Sequence, residues 1–163
     1  MMKKIMVISL VSVSLMLALL YARVGQAATR IDPKVRFAPL HIYLDSGNQP
    51  LAAFQFELKA AAGQIEIVGV EGGQHKAFKE APYYDPAALA NDRIIIAAFN
   101  TGRELPKGRT RIATIHLQII GDAEPDYELK LTVAADADAK EIPAKISFET
   151  RLGEGLRRSG KGE

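Results

Sequence analysis

Three histidines, His41, His75 and His116, are the side chains able to take up and release a proton near neutral pH. They lie far apart in the chain, and no nucleophile elbow, carboxylate pair or metal triad accompanies any of them. Two acidic runs offer oxygen atoms at alternate positions: Asp122, Glu124 and Asp126, then Asp136, Asp138 and Glu141. Such donors suit calcium in an exposed loop, although neither run has the central glycine of an EF-hand. Alternating acids also keep sheet edges from pairing, which is the plainer reading of both runs. Tyr83, Tyr84 and Asp85 sit between Pro82 and Pro86. Adjacent aromatic rings in a loop can present a flat face to a sugar or a peptide; rings beside prolines can equally plug the open end of a sandwich. Lys76, Lys79, Arg103 and Lys107 are charges that could add to such a surface.

The chain has 163 residues and no cysteine, which excludes disulfides, thiol catalysis, zinc ribbons and lipoprotein acylation. Lys3 and Lys4 precede an uncharged apolar run from Ile5 to Ala22, and Gly25 and Ala27 are small where a signal peptidase needs them. Residues 1–27 therefore read as a secretory signal helix, with an uncleaved membrane anchor as the rival. Setting aside Lys3, Lys4 and Arg23 leaves 18 basic residues against 19 acidic ones, so the body is near neutral and carries no electrostatic mark of nucleic-acid binding.

Residues 28–150 alternate in the manner of strands. Ala52, Phe54, Phe56 and Leu58 fall on one side of an extended segment, and Ala53, Gln55, Glu57 and Lys59 fall on the other. Burying two phenylalanines and a leucine is worth about 1.5–3 kcal/mol each, and only a second apolar surface can collect it. Val35–Leu44, Ile65–Val70, Arg93–Asn100, Thr110–Ile120, Tyr127–Ala134 and Ala144–Glu149 supply further strands. Pro39 places the first at an edge or splits it. Ile94 to Phe99 is apolar without alternation, as in a strand covered on both faces or lying within the sheet. Tyr127, Leu129, Leu131 and Val133 are expected to face inward, Ala60–Gly63 to form a loop, and Ala87–Ala90 to make at most one helical turn. Seven or eight short strands without a sustained helical period predict an all-β, antiparallel sandwich of jelly-roll or immunoglobulin-like type. Residues 151–163, Gly-rich and basic, are expected to form a flexible tail.

The segments Ala53-Phe54-Gln55-Phe56-Glu57-Leu58, Ile65 to Gly72 and Gly108 to Leu117 resemble the corresponding strands of cohesin domains, a likeness running from about Val35 to Phe148. It implies a nine-stranded jelly roll, related in architecture to carbohydrate-binding modules, and a calcium-loaded dockerin-like partner held on one face of a sheet. No short motif for that face occurs here, so no partner-binding residue is carried over.

The expected function is that of an exported, non-enzymatic module binding another extracytoplasmic protein, periplasmic, secreted or at the cell surface. The alternative is a module that binds polysaccharide. No nucleic acid is implied, and the membrane enters only through an uncleaved residue 1–27 segment.

Overall fold

The computed structural model describes residues 33–151 and 156–159; the expected signal segment lies outside them. Nine strands follow one another: β1 (Val35–Asp45), β2 (Ala53–Ala62), β3 (Gln64–Gly72), β4 (Tyr83–Tyr84), β5 (Arg93–Phe99), β6 (Arg109–Ile120), β7 (Asp126–Ala135), β8 (Lys145–Arg151) and β9 (Leu156–Ser159). They form two antiparallel sheets, one ordered β3-β6-β1-β8-β9 and the other β4-β5-β2-β7. Among the described residues the architecture is an all-β sandwich consistent with jelly-roll or immunoglobulin-like topology.

The core is the interdigitation of the two inner faces. Leu40, Ile42 and Leu44 of β1 and Ile115, Leu117 and Ile119 of β6 meet Phe54, Phe56 and Leu58 of β2 and Ile94 and Ile96 of β5. Phe54 stacks near Phe56, with centroids 6.1 Å apart, and meets the edge of Phe78 at 5.0 Å. Phe78 reaches the core from a 3-10 turn, Lys76–Phe78, in the long connection after β3. That connection is pressed against the sheet: the Gly73 amide donates to the Phe78 carbonyl at 2.6 Å, and a Cβ on Gly72 would collide with the Lys79 and Glu80 carbonyls.

Several expectations are corrected. Pro39 neither splits β1 nor puts it at an edge; β1 is one continuous strand between β6 and β8. Its ladder with β8 begins only at Leu40, so a missing amide at Pro39 breaks nothing on that side. Ala60–Ala62 continues β2 against β7 as far as Ala62 opposite Asp126, and the chain turns at Gly63, whose φ of +85° is open to glycine. Val133 points to solvent instead of inward. Gln55 pairs with Val133 but Phe56 with Leu131, so a bulge takes up Thr132 and reverses the side on which the following residues lie. The run Ile94–Phe99 lies within the sheet, between β4 and β2, and its outward residues remain in water. In the segment expected to be a tail, Leu156–Ser159 pairs with β8 as β9.

Candidate functional site

Period-two geometry places Tyr83, Ala97, Gln55 and Val133 in one row across the outer face of the four-stranded sheet, because Tyr83 pairs with Ala97, Ala97 with Gln55 and Gln55 with Val133. Phe99 and Ile95 flank Ala97 on the same face of β5. Tyr83 is 68% exposed, Phe99 65%, Ile95 43% and Val133 42%. The rings of Tyr83 and Phe99 are nearly parallel, 11° apart with centroids separated by 6.0 Å. Two aromatic rings thus support each other in water instead of inside the core, a costly arrangement for a face with no partner.

Polar groups begin within that row at Gln55 and continue beyond it. The Gln55 amide donates to Thr132 Oγ1 at 3.3 Å, and the Thr132 hydroxyl donates to the Gln55 carbonyl at 3.0 Å. Glu57 lies between Ile95 and Lys130, and Arg93 Nε donates to Glu57 Oε1 at 2.6 Å. That hydrogen bond holds the Glu57 carboxyl below its usual range and raises Arg93, both groups being at the surface. The face therefore grades from an apolar patch at the Phe99 end to paired charges at the Arg93 end.

Of the expected ligand-contacting trio, only Tyr83 belongs to this surface. As consecutive strand residues, Tyr83 and Tyr84 point to opposite faces, so they make no joint platform; Tyr84 packs half-buried against the core. Asp85 caps the 3-10 turn Pro86–Ala88, its Oδ1 accepting from the Ala87 amide at 2.9 Å. The ring that completes the surface is Phe99, which reading the sequence as a uniformly apolar strand conceals. Its signal is the outward frame Arg93, Ile95, Ala97, Phe99.

The calcium candidates are dispersed among other duties. Asp122 lies 3.3 Å from Lys34 Nζ, and Glu124 lies 3.1 Å from Arg36. Asp126 Oδ1 accepts from the Tyr127 amide at 2.9 Å. Asp136 Oδ1 accepts from the amides of Asp138 and Lys140, at 3.0 and 2.9 Å, and so closes the turn after β7; Asp138 is exposed in that turn. Among the described residues no three His, Asp or Glu side chains converge as a metal-holding group.

The histidines also stay apart. His75 caps Lys76–Phe78, its Nδ1 accepting from the Ala77 amide at 3.2 Å. His116 Nε2 lies 3.1 Å from Glu71 Oε1 on the five-stranded sheet. His41 Nδ1 lies 3.0 Å from Thr114 Oγ1, a base beside a hydroxyl, but Thr114 is buried at 3% exposure and its oxygen is not presented to a substrate. Nearby, Arg109 pairs with the buried Glu149 at 2.7 Å and covers the Tyr43 ring, its guanidinium carbon 3.6 Å from the centroid.

Among the described residues, three further large apolar side chains are exposed, Val35, Phe37 and Val68, and they lie on strands of the five-stranded sheet. Among the described residues, only the outer face of the four-stranded sheet pairs its exposed apolar residues with stacked rings. Compared with protein-family models, with curated proteins and with solved structures, the chain matches none.

Proposed function

We propose that this chain is an exported, non-enzymatic β-sandwich module that binds another protein through the outer face of β4-β5-β2-β7. The observation that carries the reading is the Tyr83–Phe99 stack, standing in water with Ile95 and Val133 beside it. Aromatic residues set among aliphatic ones, with paired charges at the rim, have the anatomy of an interface core and its border. Where an aromatic anchor is a hot spot of an interface, truncating it to alanine costs about 2 kcal/mol or more of binding. The segments that resemble cohesins are β2, β3 and β6, and a cohesin-like role, with a dockerin-like partner outside the cytoplasm, is the finer form of the proposal. The near-parallel rings also favour a second reading, a carbohydrate-binding module, since sugar rings lie flat on aromatic faces. Two aromatics without a third in line, and aliphatic residues filling the remainder, weigh toward protein.

Site-specific photocrosslinking in the producing cell tests this. A photoreactive phenylalanine at position 99 should give a discrete protein adduct, whereas the same group at Phe37, on the opposite sheet, should not. Equal adducts from both positions, or none from position 99, would overturn the reading. Retardation of the wild-type chain in a polysaccharide gel, abolished by Tyr83→Ala, would decide for the carbohydrate alternative.

A further inference from the structure

At the charged end of this face the sheet is incomplete. β4 pairs only Tyr83 with Ala97 and Tyr84 with Ile96, after which the chain leaves the sheet at Asp85 for the Pro86–Ala88 turn. Among the described residues no strand continues the β4 line beside Arg93–Ile95. The space left between β5 and the 85–92 loop is an open recess of about 550 Å³, within the range of volumes that hold ligands. The loop wall does not close onto it. Asn91 and Asp92 are held away by their backbone carbonyls, which accept from the amides of Ile67 and Ala60 at 2.9 Å each, and the Asn91 side chain donates to the Ala87 carbonyl at 2.7 Å.

The chemistry of the wall is one-sided. Ala87 and Ala88, with Ile95 at the border, supply aliphatic surface, and Asp85 and Asp92 supply two carboxylates; Ile94 turns its side chain into the core. The one cation in the lining, Arg93, is committed to Glu57. Ile95, at the border of the recess, is also part of the apolar patch, so the recess and the Tyr83–Phe99 surface are continuous.

We infer that the recess receives an extended segment of the partner protein, which pairs with the open edge of β5 at Arg93–Ile95 and lays a lysine or arginine side chain between Asp85 and Asp92. Strand addition supplies main-chain hydrogen bonds at an edge that already has the right geometry. The aliphatic wall suits the methylene stem of a basic side chain and the carboxylates suit its charged head. This deepens the protein-binding reading and rests on it.

The test uses the full chain and three blocked pentapeptides of alternating valine and threonine whose central residue is lysine, glutamate or norleucine. At millimolar peptide, the lysine form should shift the amide resonances of Arg93 and Ile95, whose backbone groups face the β4 side, and slow their hydrogen exchange. The glutamate form should do neither, and norleucine should bind more weakly by about tenfold, the loss of one charge-assisted contact. Asp92→Asn should weaken the lysine peptide by a similar factor and leave the norleucine peptide unchanged. Equal binding of lysine and glutamate forms, or no change at Arg93 and Ile95 with any peptide, would overturn the inference. The two readings fail separately: a null result here together with a position-99 crosslink removes the recess and keeps the face, whereas lysine-selective binding without that crosslink does the reverse.

Discussion

Two phenylalanines one strand apart make the sharpest test of the exposed face. Phe54 on β2 and Phe99 on β5 belong to the same sheet, yet Phe54 is 2% exposed and Phe99 is 65% exposed. Replacing Phe54 by alanine removes a ring that touches Phe56 and Phe78 and leaves a cavity, which should cost about 3–5 kcal/mol. Phe99→Ala loses only the stack with Tyr83 and its partly covered stem, an aromatic pair worth about 0.5–1.5 kcal/mol. Urea unfolding monitored by circular dichroism measures both, with the midpoint shift at constant m-value giving the difference. The expected order is a large loss for Phe54→Ala and about 1 kcal/mol for Phe99→Ala, with folded Phe99→Ala losing the crosslinked partner. If Phe99→Ala proved as destabilising as Phe54→Ala, the stacked rings would be a structural element, and the argument for a docking face would collapse.

Four other outcomes follow from the same geometry. Burial raises the Tyr127 hydroxyl to about 12, with Glu124 adding to the effect and Arg36 opposing it. The unfolded chain ionises this group near pH 10, so the stability is complete below that pH and falls as pH rises from about 10 to about 12. The loss should be about 1–2 kcal/mol after allowance for partial solvent access, and Tyr127→Phe should flatten it in alkaline unfolding curves. Arg109→Ala removes both the ion pair to Glu149 and the cation over Tyr43, and should lower stability by about 1–2 kcal/mol; Arg109→Lys should restore only part, because an ammonium cannot cover the ring in the same way. Gly72→Ala forces a methyl group into the Lys79 and Glu80 carbonyls and should cost about 1–3 kcal/mol, whereas Gly69→Ala, with open space at its Cβ, should be tolerated in the same thermal melts. Added calcium should leave the melting temperature unchanged, since Asp122, Glu124, Asp126 and Asp136 are engaged separately and Asp138 stands exposed in its turn; a rise that depended on calcium concentration would show that they gather around the ion.

The strands were legible because one periodicity carries them. Leu40, Ile42 and Leu44, or Phe54, Phe56 and Leu58, announce a buried face by alternation alone, and all six are buried. What misleads is a change of phase within a strand. Nothing in Leu131-Thr132-Val133 announces that Thr132 is the extra residue of a bulge, because a bulge is settled by its partner strand, not by its own residues. The same limit governs the site. Tyr83 stood out by its type, but its working neighbour is Phe99, and that pairing exists only because β4 joins β5 in register. Likewise Asp85 is a good N-cap residue in a local sense, while the recess that gives its carboxylate an outlook is made by where β4 stops.

The position of β1 has a consequence for how the chain is made. It is flanked by β6 and β8, so Leu40 finds its neighbours only when Ile115 and Thr150 have been synthesised. A nascent chain emerging N-terminus first must carry Leu40, Ile42 and Leu44 unsheltered until β8 has appeared. Folding of this sandwich should accordingly wait for β8 and be slow, as long-range pairing demands, and the waiting strand is the segment a holding chaperone would be expected to grip.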